Sequence, residues 1–234
     1  MDAQAIIHKT RQDYNRIARL FSNTRFDLWD ELKPFKNLIK DGQNILDWGC
    51  GNGRLLFLLK DNDVKYFGVD QSDELLKIAQ DKWQSEIKSG KAKFFNIADE
   101  EIRFEDNFFD LVFLIASFHH LPDEATRFEL LNKIYKEMKS GSKIVITVWN
   151  LESAWAKDKL KKDWNKIGEN DYIVPWKNSQ GEKMAERYYH HFSEEELKNL
   201  LERANFKNIK LFFGDLGQKT DGRGGRNLIA TAEK

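Results

Sequence analysis

The residues best suited to chemistry stand where a predicted strand turns into a predicted helix. Residues 45–53 read ILDWGCGNG, so Asp47 is followed by Gly49, Gly51 and Gly53. Glycines permit a tight turn and let the backbone approach a ligand closely. Asp47 stands at the end of the strand, where its carboxylate can meet an ammonium group directly or through water. The pattern therefore predicts a binding site for a cationic cofactor.

A second carboxylate follows at the spacing that a nucleoside site requires. Asp70 ends the segment YFGVD, about twenty residues after the first glycine, and can accept hydrogen bonds from both ribose hydroxyls. A nicotinamide dinucleotide site would need G-x-G-x-x-G, but position 54 is Arg54, so the third glycine comes one residue early. A glycine turn without function is a further alternative. The agreement of Asp47, the glycines and Asp70 argues against it.

The glycine turn after Asp47 lies within a segment of alternating predicted strands and helices. The predicted strands are Asn44–Trp48, Lys65–Val69, Lys93–Ile97, Leu111–Ala116, Ser142–Trp149, Lys207–Phe213 and Leu228–Ala232. The predicted helices between them are Arg54–Asp61, Asp73–Ile87, Glu124–Met138 and Ser193–Ala204, with Asp123 and Ser193 as N-caps. The alternation predicts an α/β, Rossmann-like fold: a seven-stranded, mostly parallel sheet with helices on both faces. The last two strands can form an antiparallel hairpin at the sheet edge.

Two segments lie outside this alternation. Residues 1–40 contain two predicted helices, Ala3–Phe21 and Phe26–Ile39, which we interpret as an N-terminal helical cap. Residues 150–192 are rich in tryptophan, tyrosine and charge without a clear period, and we interpret them as an inserted substrate cap over the carboxyl ends of the strands. Residues 1–234 are otherwise predicted to be one domain.

Composition limits the classes of partner. Lysine plus arginine and aspartate plus glutamate both total 38, so net charge gives no general attraction to nucleic acid or membrane. The lysines at 157–166 and the basic residues at 219–226 remain local candidates for phosphate contacts. Cys50 is the only cysteine, so we expect neither a disulfide nor a metal site. The N-terminus lacks a signal-peptide core and no apolar run could span a bilayer, which favours a cytoplasmic protein.

The turn, Asp70 and the strand NFFDLVFLIASFHHL together resemble the class I methyltransferases, which use S-adenosyl-L-methionine. The resemblance implies that Asp47, Gly49 and Gly51 surround the methionine part of the cofactor, with Asp70 on the ribose. The other implied cofactor contacts are Cys50, Gln71, Asp99 and Ala116. In the family the segment after the third strand often reads D-A-x-x-L-P-F, whereas here Ala98 stands at the usual aspartate and Asp99 follows it. Cys50 is assigned no nucleophilic role.

A narrower resemblance rests on short blocks outside the cofactor motif. YNRIARLFSNTR, IASFHHL, VITVWN, IVPW and RYYHHF occur in that order between Tyr14 and Phe192. Together they resemble the tRNA wobble-uridine carboxymethyl methyltransferases, whose animal members are fused to an AlkB-type dioxygenase. Those enzymes convert the carboxylate of 5-carboxymethyluridine to its methyl ester. The resemblance implies tRNA as a partner and, as in eukaryotic members, a small activator protein.

The blocks carry residues suited to such an esterification. A carboxylate oxygen is already nucleophilic, so the enzyme must mainly orient it and exclude water. An arginine fork can hold a carboxylate, and we assign this role to Arg25 and Arg187, with an ordinary salt bridge as the alternative. Of His119 and His120, one is expected to contact the substrate and the other to pack or bind the backbone. Aromatic residues of the cap could stack on a splayed base or simply pack: Trp176, Tyr188 and Tyr189.

Two other functions stay open on the sequence alone. The first is a small-molecule O- or N-methyltransferase of the same fold, with the aromatic cap closing over a compact acceptor. The second is a non-catalytic subunit that binds the cofactor as a scaffold. The intact turn and Asp70 argue against the scaffold but say nothing about the acceptor.

Overall fold

Parallel strands bring the predicted site residues to one edge of a central sheet. A computed structural model describes residues 2–25, 27–98, 102–215, 218–220 and 224–234, with the backbone alone at 218 and 219. The strands of the central sheet are β1 (Asn44–Trp48), β2 (Lys65–Asp70), β3 (Ala92–Asn96), β4 (Phe109–Ile115), β5 (Met138–Trp149), β9 (Lys207–Asp215), β10 (Gln218–Lys219) and β11 (Asn227–Glu233). Their spatial order is β10-β9-β11-β5-β4-β1-β2-β3.

The seven predicted strands form one mostly parallel sheet, as expected, and a short eighth strand, β10, adds to its edge. β1 pairs in parallel with β2 and β4, and β3 and β5 extend the sheet in parallel on either side. The hairpin of the last two predicted strands also forms, but its second arm, β11, lies between β5 and β9 and pairs antiparallel with both. Its apolar residues Leu228, Ile229 and Ala230 are buried, which favours this inner position over the outermost one.

Helices cover both faces of the sheet. They are α1 (Ala3–Asn23), a 3₁₀ helix (Asp30–Leu38), α2 (Leu56–Leu59), α3 (Asp73–Lys82), α4 (Gln84–Lys88), a 3₁₀ turn (Phe118–His120), α5 (Glu124–Glu137), α6 (Ala154–Leu160) and α7 (Glu194–Arg203). Successive residues of β4 alternate between two cores: Val112 and Leu114 pack with α5 and α7, and Leu111 and Phe113 pack with the 3₁₀ helix, α2 and α3. The sheet is therefore held from both sides.

The predicted helix boundaries hold where a cap fixes them. The Asp123 carboxylate accepts from the Thr126 N–H at 2.7 Å, and the Ser193 hydroxyl accepts from the Glu196 N–H at 3.0 Å. Both residues are therefore confirmed as N-caps.

Three predicted helices differ from the expected bounds. The helix over Asp73–Ile87 is divided at Trp83 into α3 and α4. The helix over Arg54–Asp61 is reduced to Leu56–Leu59 because turns continue through Leu55. The helix over Phe26–Ile39 is a 3₁₀ helix over Asp30–Leu38, and it contains Pro34, which has no N–H to donate to an α-helical hydrogen bond. Phe26 itself lies outside the described residues.

The segment 150–192 is more regular than its sequence pattern suggested. It forms α6 and a three-stranded antiparallel sheet of β6 (Asn165–Lys166), β7 (Asp171–Lys177) and β8 (Lys183–His190). α1 packs along β8, where the Lys9 ammonium donates to the Glu186 carbonyl at 2.9 Å. Within the described ranges, no helix has the length and apolarity needed to cross a membrane.

Candidate active site

One cavity of about 410 Å³ opens where the carboxyl ends of β1, β2 and β4 meet α1 and β8. It is lined by most of the residues predicted for the site: Arg25, Asp47, Gly49, Cys50, Gly51, Asp70, Gln71, Ala116, His120, Arg187 and Tyr189. The fold therefore gathers residues from five separate parts of the chain around one space.

The glycine turn approaches the loop after β4 so closely that it has no room for a side chain. Gly49 has φ of +79°, and a Cβ built on it would lie 2.3 Å from Cβ of Ser117. The Ser117 hydroxyl donates to the Trp48 carbonyl at 2.7 Å, which ties the two segments together. Ala116 has φ of +50°, strained for a residue with a Cβ, and it lines the cavity.

Asp70 is held in place by backbone donors. One carboxylate oxygen accepts from the Gly51 N–H and the other from the Ser72 N–H, each at 2.8 Å. Burial raises the pKa of Asp70, while these hydrogen bonds oppose the shift. Each oxygen keeps a second lone pair, so the fixed carboxylate can still accept from a ligand's hydroxyl groups.

Asp47 is a buried carboxylate with one side-chain donor. The Tyr66 hydroxyl donates to it at 2.8 Å, and Asp47 is 2% exposed. Burial raises its pKa to about 7, an effect that the Tyr66 hydrogen bond only partly offsets. A ligand ammonium group beside Asp47 would supply the missing positive charge and favour the ionised form. Cofactor binding and deprotonation of Asp47 should therefore be linked.

We expect S-adenosylhomocysteine to bind about eightfold to tenfold more weakly at pH 6 than at pH 7.5. The pKa of Asp47 in the free protein is raised to about 7, so its ionised fraction, which attracts the ammonium group, falls as the pH falls through 7. Calorimetric titration across this range measures the effect. The Asp47→Asn variant should bind weakly with little pH dependence. A slope that survives in this variant would assign the titration to another group, with Asp70 the first to examine.

Arg187 is a buried cation that forms no ion pair within 4 Å among the residues that the structure describes, although the charge of Asp13, which pairs with Lys9, acts on it from farther away. Its side chain comes from β8 and is 3% exposed, and Nη1 donates to the Tyr189 hydroxyl at 2.7 Å. The guanidinium carbon lies 5.2–5.9 Å from the ring centroids of Tyr14, Trp176 and Tyr189. A buried charge is costly unless a counter-charge meets it. Arg187 therefore suits an anionic ligand.

Two further arginines lie nearer the glycine turn. Nη1 of Arg25 donates to the carbonyl and hydroxyl of Thr24, and the Asn52 amide donates to the Arg25 carbonyl. The Arg54 guanidinium lies over the Trp29 ring, 3.7 Å from its centroid. Burial, followed by the charge of Arg25, lowers the pKa of Arg54 to about 9. Neither arginine forms an ion pair with an acid in the described ranges.

Arg54 and Tyr14 are site residues to which the sequence reasoning gave no role. Arg54 served only to exclude a nicotinamide site, although its place directly after the glycine turn already put it beside the cofactor. Tyr14 is the first residue of YNRIARLFSNTR, one of the blocks that resemble the tRNA wobble-uridine methyltransferases. Both side chains line the cavity.

His120 lines the cavity as a neutral ring with both nitrogens engaged. Nδ1 lies 2.7 Å from the Tyr188 carbonyl oxygen, which can only accept, so Nδ1 carries the proton. Nε2 therefore accepts from the Tyr14 hydroxyl at 2.8 Å. Burial lowers the pKa of His120 to about 3. The ring is thus neutral at physiological pH, and its lone pair is occupied.

His119 and Trp176 stand behind the cavity wall. Nδ1 of His119 accepts from the Trp149 N–H at 3.2 Å, and the ring stacks on Tyr189 with centroids 4.5 Å apart. Trp176 packs against Phe21, with centroids 5.6 Å apart, and against Arg187. They support the rings that line the cavity.

The structure does not support Tyr188 as a substrate contact. Its hydroxyl lies 2.5 Å from the Asp171 carboxylate, to which it donates, and 3.0 Å from the Pro122 carbonyl oxygen, and neither of these residues lines the cavity. Side chains alternate along β8, so Arg187 and Tyr189 face the cavity while Tyr188 takes the opposite side. Asp99, predicted near the adenine, lies outside the described residues.

The cavity matches the polar groups of S-adenosylmethionine. The buried carboxylate of Asp47 suits the ammonium group, and the fixed carboxylate of Asp70 suits the ribose hydroxyls. The turn at Gly49, which has no room for a Cβ, lets the backbone reach the ligand. Burial raises the pKa of the Cys50 thiol, so this residue fills space beside the ligand and is not a nucleophile. The described residues include no group of three His, Cys, Asp or Glu side chains able to hold a metal ion.

Curated relatives cover most of the chain. The tRNA (carboxymethyluridine(34)-5-O)-methyltransferase of Schizosaccharomyces pombe is 28% identical over 82% of this chain and 86% of its own length. The protein of the same name from Arabidopsis thaliana is 32% identical over 70% of this chain, but this match spans only 37% of the plant protein. The chain thus corresponds to most of the fission yeast protein and to about a third of the plant protein.

Solved structures share the fold. A SAM-dependent methyltransferase from Methanosarcina mazei superposes with a TM-score of 0.67 at 22% identity, covering 89% of this chain and 98% of that one. A second solved structure is a complex from Haloferax volcanii between the Trm112 methyltransferase activator and a methyltransferase. Its matching chain has a TM-score of 0.68 at 16% identity, covering 96% of this chain and 96% of that one. The sequence model described as "Methyltransferase domain" matches residues 14–211, from the middle of α1 to β9. The chain therefore belongs to this methyltransferase family and uses S-adenosylmethionine as its methyl donor.

Proposed function

We propose that the protein methylates the carboxylate of 5-carboxymethyluridine at the tRNA wobble position, forming the methyl ester. The observation that carries this proposal is Arg187, a buried guanidinium at the cavity with no acid partner in the described part of the chain. The names of the fission yeast and plant relatives supply the acceptor that fits this charge.

The side chains around Arg187 can bind and orient such an acceptor. S-adenosylmethionine, when bound, supplies an electrophilic methyl group for an anionic oxygen. Arg187 and Arg25 would hold the carboxylate, since a guanidinium fork fixes both the position and the direction of its oxygens. The rings of Tyr14 and Tyr189 would exclude water from the reacting oxygen. Trp176 would support this wall from behind.

The state of His120 favours an acceptor that is already ionised. An ammonium or hydroxyl acceptor must lose a proton, and a base near the methyl donor would have to take it. The only acceptor nitrogen of His120 is occupied by the Tyr14 hydroxyl, and burial lowers the pKa of His120 to about 3. A carboxylate needs no base. We therefore prefer esterification to the N-methylation of a small amine.

Other parts of the chain would position the tRNA. Residues 1–40 and 150–192 act in this proposal as the helical and substrate caps of one domain, because α1 and β8 both contribute to the cavity wall. Lys157, Lys159 and Lys161 on and after α6 form no ion pair within the described ranges and could meet phosphates. We also propose a small activator protein as partner, as in the Haloferax volcanii complex.

Mass spectrometry of tRNA nucleosides tests this function. After incubation with protein and S-adenosylmethionine, undermodified tRNA should gain one methyl group on 5-carboxymethyluridine, and mild alkali should remove it. Parallel reactions include a Trm112-type activator, and the Asp70→Ala variant provides the cofactor-deficient control. Unmethylated tRNA in every reaction, with protein that binds S-adenosylhomocysteine, would contradict the tRNA assignment. Methylation of small amines or phenols under the same conditions would replace it with the small-molecule alternative.

A further inference from the structure

The three arginines of the cavity have different immediate neighbours. Arg187 donates to the Tyr189 hydroxyl at 2.7 Å, and Arg25 donates to the Thr24 hydroxyl at 3.1 Å. Arg54 directly follows the glycine turn, and its guanidinium is held flat against Trp29. Arg54 therefore belongs to the end of the cavity where the turn and Asp47 lie.

This end carries one buried acid and one partly buried base in the same wall. Asp47 accepts only from Tyr66 among side chains, and Arg54 has no ion pair within 4 Å in the described ranges. Nη1 of Arg54 is enclosed without any hydrogen-bond acceptor. An unsatisfied cation so close to a cofactor site implies that a bound anion completes its interactions.

An α-amino acid group presents both missing charges on one carbon atom. The ammonium complements Asp47 and the carboxylate complements a guanidinium. We propose that Arg54, steadied by Trp29, binds the α-carboxylate of the methionine part of the cofactor, while Asp47 binds its ammonium group. This inference rests on the methyl donor alone and is independent of the tRNA proposal.

The competing occupant is an anionic group of the methyl acceptor, such as a phosphate. Two observations favour the cofactor. Arg54 directly follows Gly53 of the turn that Asp47 begins, and Arg187, which contacts Tyr14 and Tyr189, already offers the acceptor a cation. Different arginines for the two carboxylates would hold the cofactor and the acceptor in fixed, separate positions.

Calorimetric titration with two ligands tests the proposal without any acceptor. S-adenosylhomocysteine carries both the ammonium group and the carboxylate, and its decarboxylated analogue keeps only the ammonium group. Arg54→Gln should weaken binding of S-adenosylhomocysteine about tenfold to hundredfold, the effect of losing a charged hydrogen bond. It should weaken binding of the analogue by less than about threefold, because the analogue has no carboxylate to lose its contact. An indirect effect of the substitution on Asp47 would weaken both ligands equally. Arg54→Lys, which keeps the charge, should recover part of the loss.

A matched control variant and two possible results test the assignment of Arg54 to the cofactor carboxylate. Arg19→Gln removes an exposed arginine of α1 outside the cavity and should change neither affinity. Equal weakening of both ligands by Arg54→Gln, with thermal unfolding unchanged, would overturn the carboxylate assignment. Normal affinity for both ligands together with a raised KM for the acceptor would also overturn it and place Arg54 in the acceptor site.

Discussion

Replacing Arg187 with methionine is expected to lower kcat/KM for the acceptor about a hundredfold to a thousandfold while S-adenosylhomocysteine affinity stays within about twofold. Methionine keeps much of the buried volume but removes the charge and the hydrogen-bond fork that would fix the acceptor carboxylate. The side-chain contacts of Arg187 are with Tyr14, Trp176 and Tyr189 and not with Asp47 or the glycine turn. Steady-state kinetics with the tRNA acceptor, combined with calorimetric titration of the cofactor product, separate the two effects.

Two control variants distinguish a role of Arg187 in substrate binding from a role in stabilising the fold. Arg187→Lys keeps the charge without the fork and should recover part of the rate. Arg203→Met removes an exposed arginine that pairs with Glu124 on the surface and should leave the kinetics unchanged. A parallel fall in cofactor affinity and melting temperature for Arg187→Met would instead make Arg187 a structural residue. Removing a buried, uncompensated charge can even stabilise the fold, so loss of stability is not expected by default.

The central sheet could be predicted because its signals are local. Each buried strand is a short apolar run, and the glycines after Asp47 mark the point where β1 turns towards α2. The carboxylate of Asp70 follows at a spacing fixed by one strand–helix–strand unit. These features can be recognised from short stretches of sequence, without knowing which residues far apart in the chain are in contact.

The cap could not be predicted in the same way because its order depends on pairing between strands. β7 and β8 carry charged and aromatic residues on both faces. Only the pairing of the two strands, with Val174 opposite Arg187, shows that Arg187 and Tyr189 face the cavity and Tyr188 does not. Without that register, Tyr188 looked equivalent to Tyr189. The partnership of Tyr14 with His120 likewise joins residues far apart in the chain.

Gly49→Ala should lower the free energy of unfolding by about 2–5 kcal/mol, combining about 1–2 kcal/mol for the left-handed backbone with about 1–3 kcal/mol for overpacking. A Cβ at Gly49, with φ of +79°, would lie 2.3 Å from Cβ of Ser117, and neither atom sits on a flexible chain end. For a domain of this size, the melting temperature should fall by roughly 2–4 °C per kcal/mol. Thermal and denaturant unfolding measure the change.

Two further variants separate the two causes. Gly42→Ala is the matched control, because Gly42 has φ of +81° but nothing within 4 Å of its built Cβ. It should show the backbone cost of about 1–2 kcal/mol alone. Ser117→Gly removes the obstructing Cβ, together with a hydrogen bond to the Trp48 carbonyl worth about 1 kcal/mol. The Gly49→Ala/Ser117→Gly double variant should therefore be more stable than the sum of the single changes implies. If Gly49→Ala costs no more than Gly42→Ala, contact with the loop after β4 does not explain the glycine, and only its backbone conformation does.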